Sequence, residues 1–181
     1  MSEPLASLVL EKEHIMTLAA SNPKIIEFCE NLSKLDAGEK ARLKRNAGRT
    51  LAQSRRVMGL FFNRLLPYGV PGYQEEKYFL VATLYPLADS GGAGSLGASL
   101  RRARDRDSLD RRVEILLDAD EAHLPFRLRQ AVRFLYSKRQ PVNWPLLLRD
   151  LLAWDSEKRW VQEQWARDYF VGPKEEKNGN S

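Results

Sequence analysis

The sequence predicts an all-α protein built as two small helical bundles packed together. Apolar residues recur at three- and four-residue spacing along most of the chain, the period of one face of a helix. Sustained apolar–polar alternation is absent, and no Asn-Gly or Asp-Gly pair joins two β-rich runs. Pro, Asp and Asn stand where helices start, and one glycine-rich stretch interrupts the pattern.

Residues 5–19 form a first amphipathic candidate. A second begins at Pro23, whose fixed φ suits a first turn. Ile25, Ile26, Cys29 and Leu32 recur along it, which makes Cys29 a core residue rather than a reactive thiol. Asp36 caps a third helix, with Glu39 as its reciprocal capping-box partner. There Leu43 and Ala47 face inward, while Arg42, Arg45 and Arg49, at i, i+3 and i+7, form one stripe flanked by Lys40 and Lys44. The run 56–66 is a strongly apolar helix ended by Pro67, and PYGVPG (67–72) is a turn-rich connection.

Residues 74–88 are largely buried by composition, and Pro86 kinks or stops that helix. The stretch DSGGAG (89–94) predicts a flexible joint between an N-terminal bundle, 1–88, and a C-terminal bundle, 95–170. GSLG (94–97) leads into a basic helix. Ser108 begins another, with Leu109, Val113, Leu116 and Leu117 inward, and 124–138 is longer, with Leu128, Ala131, Val132 and Leu135 on its core side. Asn143 caps a helix with Pro145 in its first turn. Asp155 or Ser156 caps a last helix to about Phe170, and the polar tail, 171–181, is expected to be disordered.

The chain of 181 residues is 43% hydrophobic and 29% charged, a composition that supports a buried core. No stretch approaches the roughly 20 apolar residues of a membrane span, and the first residues, MSEPLASLVLEKEHIM, lack the basic region of a secretory signal. The expected location is the cytoplasm, with no membrane partner. A lone cysteine forms no internal disulfide and builds no thiolate metal cage.

The net charge is +5, and its distribution says more than its size. Residues 36–64 carry +6, residues 122–149 carry +6 with no acid, and the rest nets −7. Residues 101–112 add six arginines beside three aspartates. Of 29 cations 19 are arginine, whose planar fork binds phosphate oxygens bidentately.

Catalytic chemistry is not in view. His14 and His123 are far apart, and no HExxH, CxxC, Walker or GxSxG motif occurs. Asp118, Asp120 and Glu121 are better explained by ending one helix and capping the next than by holding Mg²⁺. Trp144, Trp154, Trp160 and Trp165, at helical spacing among apolar neighbours, point to packing before base stacking. The expectation is a protein with no enzyme activity, no cofactor and no metal. The unmixed basic faces leave two functions open: binding a nucleic-acid backbone, or a helical adaptor whose basic faces bind an acidic protein partner.

Four stretches resemble a known family. They are LDAGEKARLKR (35–45); FLVATLYPLA (79–88) followed by GSLGASLRR (94–102); SLDRRVEILLDAD (108–120) with LPFRLRQAV (124–132); and PVNWPLLLRDLLAWDSEKRWVQEQWARDYF (141–170). The chain resembles the CasB family, the small subunit of the type I-E CRISPR surveillance complex Cascade. The resemblance implies an all-α, non-enzymatic subunit present in two copies, supporting guide RNA and its heteroduplex with target DNA and helping to hold the displaced strand. It implies nucleic-acid contacts from Lys44, Arg45, Arg111, Arg112 and Arg129, with Arg133 beside them; Arg42, Arg49, Arg101 and Arg102 are further candidates. The implied partners are guide RNA, target DNA, the other Cascade subunits and a second copy of the chain. In such complexes base pairing reads the sequence, so the protein need only hold backbone. The chain departs from the family pattern before FLVATLYPLA, where Gln74, Glu75 and Glu76 stand in place of basic residues.

Overall fold

The computed structural model describes residues 22–105 and 108–173. Among the described residues there are nine α-helices and no β-strand, as the sequence predicts. The 5–19 candidate and residues 174–181 of the tail lie outside them. No helix among the described residues is long and apolar enough to cross a membrane.

α1 is Pro23–Ser33, capped by Asn22, whose side chain accepts from the Lys24 N–H at 3.2 Å. α2, Ala37–Lys44, opens on a complete capping box: Asp36 accepts from the Glu39 N–H at 2.8 Å, and Glu39 accepts from the Asp36 N–H at 3.1 Å. α2 ends with Arg45 as its C-cap, and Gly48 turns the chain at φ +77°. Arg49 therefore lies past a left-handed turn, and the helical stripe of Arg42, Arg45 and Arg49 does not form.

The apolar run 56–66 is a composite rather than one α-helix. A 3-10 turn (Arg55–Val57), the short α3 (Met58–Leu60) and a π turn (Phe61–Leu65) follow one another. The Leu66 N–H reaches back to the Phe61 carbonyl at 2.9 Å, the wider spacing of a π turn. α4, Glu75–Leu84, is buried continuously from Tyr78 to Leu84. A helix that is apolar all round belongs at the centre, and Pro86 ends it in a 3-10 turn, Tyr85–Leu87.

α5 is Leu96–Ala103, capped by Ser95; α6 is Ser108–Leu117; α7 is Leu124–Ser137. α8, Trp144–Leu152, is capped by Asn143, which accepts from the Leu146 N–H at 3.1 Å. α9, Trp160–Ala166, continues into a π turn, Arg167–Val171. It starts later than a cap at Asp155 or Ser156 implies, because Arg159 turns left-handed at φ +47° just before it.

α8 packs on α1 and α4, α7 meets α4 and the Tyr85–Leu87 turn, and α9 with its π turn packs on α5. The buried apolar side chains form one connected cluster from Ile25 to Tyr169, with Cys29 packed against it. Burial pushes the Cys29 thiol up to about 12, so it stays protonated and inert. Trp144, Trp154 and Trp165 are buried, as packing requires, while Trp160 is 40% exposed, with Arg149 over its ring. Asp150 is also buried; it holds Arg149 at 2.6 Å and accepts from Trp165 Nε1 at 2.7 Å.

The glycine-rich stretch is pinned rather than loose. The Val142 N–H donates to Asp89 at 2.8 Å, and the Gly92 N–H donates to Val142 at 3.3 Å. A Cβ at Gly92 would lie 2.4 Å from the Pro141 carbonyl oxygen, so glycine is set there by close approach, not by flexibility.

Candidate nucleic-acid interface

The two basic segments meet at Gly48. Lys44 and Arg45 are exposed at the end of α2, and Arg49 is exposed just past the turn. That turn packs on the first turns of α7: a Cβ at Gly48 would lie 3.3 Å from the Pro125 carbonyl oxygen and 3.5 Å from Arg129 Cδ. Arg129, from the second +6 segment, thus borders the end of the first. Its Nε is buried and has no hydrogen-bond partner among the described residues. Arg133 follows one helical turn on, about 6 Å along the axis of α7, and is exposed.

Arg133 also borders a second feature. A cleft of about 470 Å³ opens between α5, α6 and α7, floored by Leu100, Leu109, Val113, Leu116, Ala131 and Phe134. Among the described residues Arg112, Arg127 and Arg133 line it, and no acidic residue does. Arg127 is absent from the sequence-derived candidates. Its guanidinium lies over the Phe126 ring, 5.3 Å from the ring centre, and it donates to Gln130 at 3.3 Å. Arg111 is exposed on α6 but does not line the cleft.

Other candidates stand apart. Arg42 donates to the Arg56 carbonyl at 2.7 Å, which leaves part of its fork outward. Arg101 donates to the Tyr169 carbonyl at 2.9 Å and lies under Gly172. Arg102 donates to the Ala93 carbonyl at 2.6 Å and to Ser99 Oγ at 3.1 Å. Both tie α5 to neighbouring chain and are not gathered with the α2–α7 group.

The acids near the site are occupied in the fold. Glu76 accepts from the Leu51 N–H at 3.2 Å, so this departure from basic residues fixes the loop that follows Gly48. Arg64 pairs with Glu39, and Lys77 with Asp155 at 3.2 Å. Asp120 accepts from the His123 N–H at 2.9 Å and bonds its ring Nδ1 at 2.7 Å, which holds the carboxyl below its ordinary value. The carboxylate closes the turn that precedes α7 rather than capping the helix, whose N-cap is His123. Among the described residues no group of three metal-ligating side chains comes together. What the surface offers is guanidinium and ammonium groups on fixed helices, in reach of an extended chain of anions.

Comparison with known proteins agrees. A family model for CRISPR-associated protein Cse2 matches residues 39–170. A CRISPR-associated protein Cse2 of Thermus thermophilus is 38% identical over 129 residues, spanning 64% of this chain and 73% of that one. The crystal structure of CasB from Thermus thermophilus superposes with a TM-score of 0.70 at 29% identity, covering 82% of this chain and 97% of that one. That of CasB from M. ruber gives a TM-score of 0.67 at 27% identity, covering 82% and 93%. A chain of a CRISPR RNA-guided surveillance complex shares the fold, with a TM-score of 0.69 at 22% identity over 83% of this chain and 93% of that one. The motifs, the helical architecture and these matches agree: the chain belongs to the Cse2 (CasB) family of CRISPR-associated proteins.

Proposed function

We propose that the chain is a non-catalytic subunit of a type I-E Cascade complex in antiviral defence. It binds the backbone of guide RNA and target DNA without reading sequence, and it stabilises the displaced strand. The observation that carries this reading is the contact of Gly48 with Arg129, which joins two basic segments into one surface. Family membership supports it, as does the fold shared with a chain of a surveillance complex. Lys44, Arg45, Arg49, Arg129 and Arg133 form the main track, with Arg111 and Arg112 on the adjoining α6. Arg42, Arg101 and Arg102 are secondary, because each already donates to backbone carbonyls. The partners are the other Cascade subunits, guide RNA, target DNA and a second copy of the chain, in the cytoplasm.

Co-purification tests the reading. Tagged chain, co-expressed with the remaining Cascade subunits and a guide RNA, is expected to recover them in one particle that retains target DNA. Recovery of the chain alone, or of an acidic protein without nucleic acid, contradicts it.

A further inference from the structure

A basic surface that only met phosphates would need no cavity, yet α5, α6 and α7 enclose about 470 Å³ behind their arginines. We propose that this cleft takes one unstacked nucleotide of a single strand, with its base on the apolar floor and its phosphate between Arg112 and Arg133. The inference rests on the polyanion reading above and adds to it the place of a base.

Three features of the cleft argue for it. The floor of Leu109, Val113, Leu116 and Ala131 is apolar, and the Phe134 ring stands in its wall, partly buried. Such a lining suits the flat face of a base, and single strands are commonly held by bases splayed onto apolar and aromatic side chains. Among the described residues the lining charge is of one sign and one kind, all arginine, and Arg112 and Arg133 have no hydrogen bond or ion pair. Finally, the cleft continues the α7 track: Arg133 borders both, one turn from Arg129. An anion at every step is the property of a nucleic-acid strand. A duplex keeps its bases stacked and would touch only the mouth, leaving the floor empty.

The test uses the full chain and two short single strands of equal length, one intact and one abasic at every position. Both carry the same phosphates. The wild-type chain is expected to bind the intact strand about tenfold more tightly, the effect of stacking one base. Ala131→Phe fills the floor without changing charge, and it is expected to bring intact-strand affinity down to the abasic level. Its melting temperature and circular dichroism report whether it folds; Ala131→Leu, which fills less of the floor, gives part of the loss if it does not. Equal wild-type affinity for both strands overturns the cleft and leaves backbone binding standing. No salt-dependent binding of either strand overturns both readings. Displacement of the intact strand by poly-glutamate at matched charge more readily than by unlabelled intact strand overturns the nucleotide assignment in favour of an acidic protein.

Discussion

Gly48 lies against Arg129. The distance from a Cβ at Gly48 to Arg129 Cδ would be 3.5 Å, and the glycine's φ of +77° is one that side chains disfavour. Through this contact the end of α2 and the start of α7 present their cations together. Gly48→Ala places a methyl in both a strained backbone and a tight contact. It is expected to lower stability by about 1–2 kcal/mol, read by chemical denaturation, and to weaken nucleic-acid binding as the two segments separate. Unchanged stability and affinity would show that the turn does not set the site.

Arg101 and Arg102 separate fold from site. The Arg101 bond to the Tyr169 carbonyl ties α5 to the π turn after α9. Arg101→Ala is expected to lower the melting temperature by several degrees, the effect of about 1 kcal/mol, while changing the salt dependence of binding less than Arg133→Ala does. An equal change of salt slope with unchanged stability would move Arg101 into the main track.

α5 and α9 approach closely at Gly97, where a Cβ would lie 2.3 Å from the Trp165 carbonyl oxygen. That atom is backbone and cannot swing aside. Gly97→Ala is expected to destabilise by about 1–3 kcal/mol through overpacking, measured as a shift of the denaturation midpoint. Full tolerance would contradict the close approach of the two helices.

Asp150 gives the stability a pH signature. Burial holds its carboxyl above the ordinary value, against the pull of Arg149 and the Trp165 N–H. The folded chain therefore binds a proton more readily than the unfolded chain. Its stability falls as pH rises from the ordinary value near 3.8 through the raised one, and levels off beyond. Asp150→Asn is expected to remove this decline while still accepting from Trp165. Asp150→Ala leaves the Trp165 N–H buried without an acceptor, at a cost of about 1–3 kcal/mol. Thermal melts from pH 3 to pH 7, a range chosen to bracket the window, read both.

The helices were largely legible in the sequence because their start signals are local. Asp36 with Glu39 and Asn143 cap, and Pro23 opens a helix, where expected. What was not legible depends on partners distant in sequence. Gly92 carries the signal of a flexible joint, but Pro141 and Val142 pin it. Arg42, Arg45 and Arg49 lose their shared stripe because Gly48 must turn to meet α7, and nothing in residues 36–49 names that neighbour. Arg127 escaped notice for the same reason: only the packing of α6 beside α7 makes it line a cleft with Arg112. Charge segregation indicated a polyanion, and tertiary packing joined the two segments.

On the proposed function, one surface built from α2 and α7 holds nucleic-acid backbone without reading sequence. The most direct measurement is the affinity of the full chain for three unrelated nucleic acids across a series of salt concentrations, with and without Lys44→Ala, Arg45→Ala and Arg133→Ala combined. Log affinity is expected to fall linearly with log salt at one slope for all three sequences. In the triple variant that slope is shallower by about 0.9 for each duplex phosphate that is no longer neutralised. Sequence-dependent affinity, or a triple variant with the wild-type slope, would contradict it.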